Sequence, residues 1–341
     1  MLKKYVLLAT LWISAFAPAV AESGNHSEES HGESEDFQIG DMIMHHISDE
    51  HGWAFTHDVK LPLPIILYSE DRGIELFSSS RLEHGAIFQD YKNEHEHIVR
   101  VDAQGNPVEG VHVYDFSITK NVAALILSAV ILFVLFISVA KGYATNKGKA
   151  PKGIQSFLEP LILFLRDDVV KPAIGPKYER YFPYLLTLFF FIFINNLLGL
   201  FPGGANLTGN IAITLVLAVI TFLITNISAN KGYWMHILRP PGVPLALLPI
   251  MLPVEIVGVF MKPASLMIRL FANITAGHII MLSLFGLIFI FQSWGVTPLV
   301  AVFALFMNAI ELIVAFLQAF IFTLLSSMYI GTAVEEHDEH H

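Results

Sequence analysis

The sequence predicts an all-α polytopic membrane protein. It would have about five transmembrane helices, an amphipathic helix on the cytoplasmic surface, and a last helix pair forming a long, steeply tilted hairpin. A small exported N-terminal region would carry some β structure. Three observations predict this. The chain has 341 residues, is 54% hydrophobic and only 15% charged, and has a mean hydropathy of +0.58, which is too apolar for a soluble globular protein. Several runs reach the roughly 20 apolar residues needed to cross a bilayer. Charge is also unevenly divided: residues 22–117 hold 20 of the 30 acidic residues and 5 of the 20 Lys and Arg, whereas residues 118–341 hold 10 and 13.

The first 21 residues read as a signal peptide. Lys3 and Lys4 precede a short apolar run from Tyr5 to Ala17, and Ala19-Val-Ala21 supplies the small residues of a cleavage site. The run is too short to span a membrane, so residues 22–117 are expected outside the cytoplasm. This exported region opens with "ESGNHSEESHGESED", too polar and charged to fold. Strand-like runs follow at "LPLPIILYS", "HEHIVRVD" and "VHVYDFSIT", with a turn at Gly105-Asn106-Pro107. Ten of the 15 histidines lie here, among them His45, His46, His51, His57, His95 and His97. Their spacing matches no zinc pattern such as H-E-x-x-H, and solvated polar histidines are expected.

Residues 118–341 read as the membrane domain. A first span over about 118–140 ends in the lysine-rich "KGYATNKGKAPKG", which marks the cytoplasmic side. Phe157, Leu158, Leu161, Ile162 and Leu165 then share one face of a charged, amphipathic helix expected on the membrane surface. A second span covers about 181–200, a charge-free turn "FPGGANLTGN" follows, and a third covers about 211–228. The Pro-rich stretch 244–263 either extends the fourth span with kinks or forms a separate piece. The last two segments, 261–291 and 298–333, would be about 45 and 54 Å long as helices at 1.5 Å per residue. Against a hydrocarbon core of about 30 Å they must tilt steeply. An odd number of crossings leaves the C-terminus "EEHDEHH" in the cytoplasm.

Polar residues inside the spans divide into two kinds. Ser, Thr and single Asn residues usually hydrogen-bond between helices, and Asn195 and Asn196 are read that way. Ionisable groups cost more and mark polar pathways; the final helix pair carries Glu255, Arg269, His278 and Glu311, with amides at Asn273 and Gln318. Ser265, Arg269 and Asn273 recur every four residues and so line one helical face. A symmetric hairpin turning near residue 295 brings together positions whose numbers sum to about 590; Arg269 with Gln318 gives 587, and His278 with Glu311 gives 589. His278 nevertheless lies nine residues from Arg269, half a turn around and about 13 Å along the helix. The spacing therefore predicts two polar paths, one on each side of the arginine.

At these residues a resemblance is legible. "KPASLMIRLFANITAGHI", "LQAFIFTLLSSMYIGTAVEEH" and "FINNLLGLFP" resemble three separated motifs of subunit a of the rotary F-type ATP synthase, together covering about residues 115–337. The resemblance implies that Arg269 faces the carboxylates of a rotating c-ring, with Gln318 packed near it. It implies that Asn273, Ser265 and Glu255 belong to a cytoplasmic half-channel, and that His278 and Glu311 form the carboxylate–imidazole pair of an outer half-channel. Relative to some members the acid and the histidine are exchanged. Implied partners are the c-ring, the peripheral-stalk subunit b and the lipid bilayer of a bacterial inner membrane. No cofactor is implied.

Other functions lack their residues. No basic, aromatic-rich patch points to nucleic acid, no Cys offers a thiolate, and no G-x-x-x-x-G-K-[ST] loop binds nucleotide. A proton-coupled secondary transporter is the alternative, but no inverted repeat is visible. An intramembrane hydrolase would need G-x-S-x-G or H-E-x-x-H.

Overall fold

The structure is a computed structural model that describes residues 49–54, 60–94, 97–102, 104–108, 111–145, 150–201, 204–239, 244, 247–291 and 296–335. The expected signal peptide and acidic leader, His45, His46, His57, His95, the hairpin turn at 292–295 and the segment 336–341 lie outside the described residues. The chain divides into two compact units, one ending at Lys120 and taking in Phe201–Gly204, the other comprising Asn121–Leu200 and the residues from Ala205 onward.

The first unit is built from short antiparallel strands: β1 (Gly52–Ala54) with β2 (Lys60–Pro62), β3 (Pro64–Ser69) between β4 (Gly73–Ser78) and β7 (Val113–Asp115), and β5 (Tyr91–Glu94) with β6 (His97–Arg100). Alternation explains the packing, because successive side chains point to opposite faces. Ile65, Leu67 and Phe77 turn inward and join Leu82, Tyr91 and Ile98 in one small core. The fully buried Tyr91 keeps its polar end satisfied, its hydroxyl donating to Glu75 Oε2 at 2.6 Å. Gln89 and Asp90 adopt left-handed backbone (φ 52° and 62°) ahead of β5. Arg72 holds that turn, donating to Gln89 O at 3.0 Å and Asp90 Oδ2 at 2.6 Å. Residues 49–51 strap the stem after β7: Thr119 Oγ1 donates to Asp49 Oδ2, the Lys120 amide to Glu50 O, and His51 Nε2 lies 2.8 Å from Asp115 Oδ2. Burial would raise the Asp115 carboxyl, but hydrogen bonds from His51 and Ser117 hold it below the usual carboxylate range.

The second unit is helical: α1 (Lys120–Thr145), α2 (Ile154–Phe164), α3 (Lys171–Ile174), α4 (Tyr178–Gly199), α5 (Ile211–Ile227), α6 (Lys231–Leu238), α7 (Leu248–Phe291) and α8 (Val296–Val334). Among the described residues four helical runs are long and apolar enough to cross a membrane, and a fifth crossing counts α5 and α6 as one bent span. At 17 residues, α5 is about 26 Å long, slightly short of the hydrocarbon thickness, and α6 departs from it at 102°.

Several boundaries differ from expectation. Helix α1 runs to Thr145 and absorbs the start of the lysine-rich turn. The expected surface helix is not separated from the second span: Ile154–Gly199 is one helical run of 46 residues. It is interrupted only by a π turn at Leu165–Val170 and a 3-10 turn at Gly175–Lys177. The widened turn precedes Pro172, which has no N–H and crowds the carbonyl four residues back. The expected apolar face splits, since Leu158 and Leu165 are buried in the bundle while Phe157 is exposed. The Pro-rich stretch extends the fourth span, with Pro253 and Pro263 inside a continuous α7 of 44 residues.

Close approach of backbones organises the bundle. Phe189, Phe193 and Phe316 interlock α4 with α8, and Phe136 meets Phe190 edge-on. Ala315 and Ala319 are fully buried on α8, small enough to let neighbouring helices near. At Gly331 the fit is tightest: a Cβ there would lie 1.9 Å from the Ala173 carbonyl oxygen of α3. Asn230 closes the end of α8, its backbone amide donating to Ala333 O and its side chain to Val334 O and Glu335 O, carbonyls that otherwise lack helical partners. Gly331→Ala is expected to force α3 and α8 apart and destabilise the protein by about 1–3 kcal/mol, the usual cost of overpacking. Thermal unfolding of the detergent-solubilised protein measures it as a lowered midpoint.

Candidate functional site

Helix α7 presents two adjacent rows. Leu266, Leu270 and Ile274 recur every four residues and are buried against the bundle. The next row around, Ser265, Arg269 and Asn273, lies beside that packed stripe, with Ser265 half-buried and Arg269 and Asn273 exposed. Arg269 is the midpoint residue of the 44 in α7. It forms no hydrogen bond or ion pair with any described residue. A guanidinium does not deprotonate, so the chain exposes a permanent cation halfway along an apolar helix, flanked by the exposed Ile268.

His278 continues the packed row, four residues beyond Ile274, and so enters the bundle where Arg269 does not. Its Nε2 lies 4.0 Å from Glu311 Oε1 on α8, with both side chains largely buried. That is an ion-pair separation rather than a hydrogen bond. Two glycines leave room for the pair: a Cβ at Gly277 would meet Glu311 Oε1 at 2.8 Å, and one at Gly199 would lie 3.6 Å from His278 Nε2. The pair therefore sits against the C-terminal end of α4. Gln318 is buried on α8, but no hydrogen bond joins it to Arg269.

The amides of α4 act as braces. Buried Asn196 donates from Nδ2 to Ala315 O of α8 at 3.0 Å and accepts from Thr208 Oγ1 at 2.6 Å. It thereby ties α4 and α8 to the 3-10 turn Leu207–Gly209. Thr275 of α7 reaches Gly209 O from the other side at 3.5 Å. Asn195 serves its own helix, donating to Phe191 O.

On the other side of Arg269 lies a polar cluster that sequence reasoning left unassigned. Lys262 Nζ sits 5.7 Å from the Tyr233 ring and 5.6 Å from the Tyr329 ring, within cation–π range of both. Together with Thr221, Thr225 and Asn226 these residues line a small cavity between α5, α6, α7 and α8. Glu255 is half-buried on α7, two turns before Lys262. The hairpin symmetry also marks this contact, because 262 and 329 sum to 591, but a tyrosine ring carries no formal charge to mark it as a cation's partner. Among the described residues no group of three His, Cys, Asp or Glu could hold a metal.

These features define a multi-pass α-helical membrane protein whose last two helices carry ionisable residues above and below an exposed arginine. The family model for the ATP synthase A chain matches residues 122–331, and a domain of unknown function (DUF8433) matches residues 42–116. ATP synthase subunit a 2 of Chlorobaculum tepidum is 41% identical over 331 residues, covering 94% of this chain and 81% of that protein. ATP synthase subunit a of Chloroherpeton thalassium is 38% identical over 359 aligned positions, covering 100% of this chain and 94% of that protein. The chain belongs to the ATP synthase subunit a family, the non-catalytic membrane channel subunit of that enzyme, and is a multi-pass bacterial membrane protein.

Replacing Asn196 by Leu leaves Ala315 O and Thr208 Oγ1 without their buried partner, at a cost of about 1–3 kcal/mol. A lowered thermal midpoint of the purified protein, larger than that of Asn195→Leu, is the expected result.

Proposed function

We propose that this chain is the proton-translocating stator subunit of the membrane sector, working against a c-ring with the peripheral-stalk subunit b as its anchor. The observation that carries this reading is Arg269, a permanent cation at the midpoint of α7, exposed and without an acidic partner among the described residues. Retaining such a charge at mid-membrane costs roughly 2.5–3.5 kcal/mol on insertion scales, which favours a partner carboxylate on another subunit.

In this reading two half-height aqueous paths meet the ring on either side of Arg269. A proton from the exterior passes His278 and Glu311 and neutralises a ring carboxyl, which can then rotate through lipid, where the ionised form would be costly. After nearly a full turn it reaches the inner path, with Ser265, Asn273 and Glu255, and releases the proton. Arg269 stabilises the ionised carboxylate by its charge, strongly in a low dielectric, and bars direct passage between the paths. Gln318 packs at the same level. Each proton brings about 2.3 kcal/mol per 100 mV, so several together drive one ATP. The nucleotide chemistry belongs to other subunits. We further propose that residues 1–21 are a signal peptide, 22–117 an exported region and 118–341 the membrane domain, with the C-terminus in the cytoplasm.

Two outcomes test this. Arg269→Ala is expected to abolish proton-driven ATP synthesis in inverted vesicles while the complex still assembles; synthesis at the wild-type rate would refute the arginine's role. Exchanging the outer pair, His278→Glu with Glu311→His, is expected to retain more proton-driven synthesis than His278→Ala or Glu311→Ala alone. Equal loss in all three would count against a shared relay.

A further inference from the structure

The sheet β4–β3–β7 buries one face and leaves the other bare. Register sets the membership of the bare face: Ile66 is opposite Leu76, and Tyr68 lies opposite both Ile74 and Tyr114. The Phe116 amide donates to Ile66 O at 2.9 Å and adds Phe116 to the same side. These six side chains point away from Ile65, Leu67 and Phe77. Five of them, all but Ile66, are 40–75% exposed, and none carries a formal charge. A contiguous apolar surface of this kind marks contact with a protein or a membrane.

The chain's own course decides between the two. Pairing continues past Phe116 to Ile118, whose amide donates to Pro64 O at 3.1 Å, and Lys120 then opens α1, the first helix among the described residues that is long and apolar enough to cross a membrane. No linker intervenes. The row Ile66, Leu76 and Phe116 is therefore only about 7 Å from Ile118, and the row Tyr68, Ile74 and Tyr114 about 7 Å further, at 3.3 Å per residue. The polar turn Glu70-Asp71-Arg72 lies at the far end. Counted along the paired strands from Ile118, this face has wholly apolar side chains first, tyrosines next and charges last, the order of a bilayer boundary, where amphipathic rings sit at headgroup level.

We propose that this sheet face is a membrane-binding surface, seated on the boundary between headgroups and acyl chains. With no basic residue in the patch, it would bind by inserting apolar and aromatic side chains, and would not need anionic lipid. The proposal is independent of the residues assigned to proton transfer.

The absence of cysteine allows a direct test. An environment-sensitive fluorophore is placed at Leu76→Cys, Phe116→Cys or Glu70→Cys in the assembled complex, with this chain carrying the only reactive cysteine, in phosphatidylcholine liposomes. A lipid-borne spin-label quencher is expected to quench positions 76 and 116 several-fold more than position 70, while aqueous iodide quenches position 70 best. Iodide reaching 76 and 116 as well as it reaches 70 would overturn the proposal by showing a free surface. Protection of 76 and 116 from both quenchers would overturn it by showing a protein cover.

Discussion

A guanidinium that cannot lose its charge stands at the midpoint of a 44-residue apolar helix, exposed and without a hydrogen-bond or ion-pair partner among the described residues. Most buried charges in proteins are neutralised by a shifted pKa or paired within the chain. Arg269 cannot neutralise, and no described residue pairs with it. Its neighbours one position around the helix, Leu266, Leu270 and Ile274, are packed into the bundle, so the arginine is held at the rim of a rigid stripe with its charge turned outward. That arrangement is the basis of the proposal that its counter-charge belongs to a subunit that moves past it.

Holding the cation in place requires a stiff support, and the support is built from small residues and amides. Gly331 lets α8 touch the backbone of α3, the buried alanines at 315 and 319 let it close on its neighbours, and Asn196 and Asn230 satisfy carbonyls that would otherwise be stranded. In a bilayer, where helices gain little from apolar burial alone, such packing and hydrogen bonding supply the association. The same economy of space brings His278 and Glu311 within 4.0 Å of each other between Gly199 and Gly277. Polar chemistry and tight packing thus occupy the same seams.

Much of this was legible in the sequence, for identifiable reasons. Apolar runs long enough to span a bilayer have few alternatives to helix, so the spans and the long hairpin were readable, and the hairpin's numerical symmetry located the His278–Glu311 contact. The same symmetry suggested Arg269 with Gln318, which no hydrogen bond joins: Gln318 is buried while Arg269 lies exposed beside the packed stripe. The π turn before Pro172 joined two segments that composition had separated. Short strands such as β1 and β5 depend on pairing partners that a local pattern does not name, and the contacts of Lys262 with two tyrosine rings come from three different helices.

The most direct test of the stator role is a density map of the assembled complex that resolves side chains where α7 meets the ring. The expected result places the Arg269 guanidinium within about 4–6 Å of a ring carboxylate, the range over which an opposite charge stabilises the ionised form. A guanidinium turned to lipid, or locked to an acid of its own chain, would contradict it.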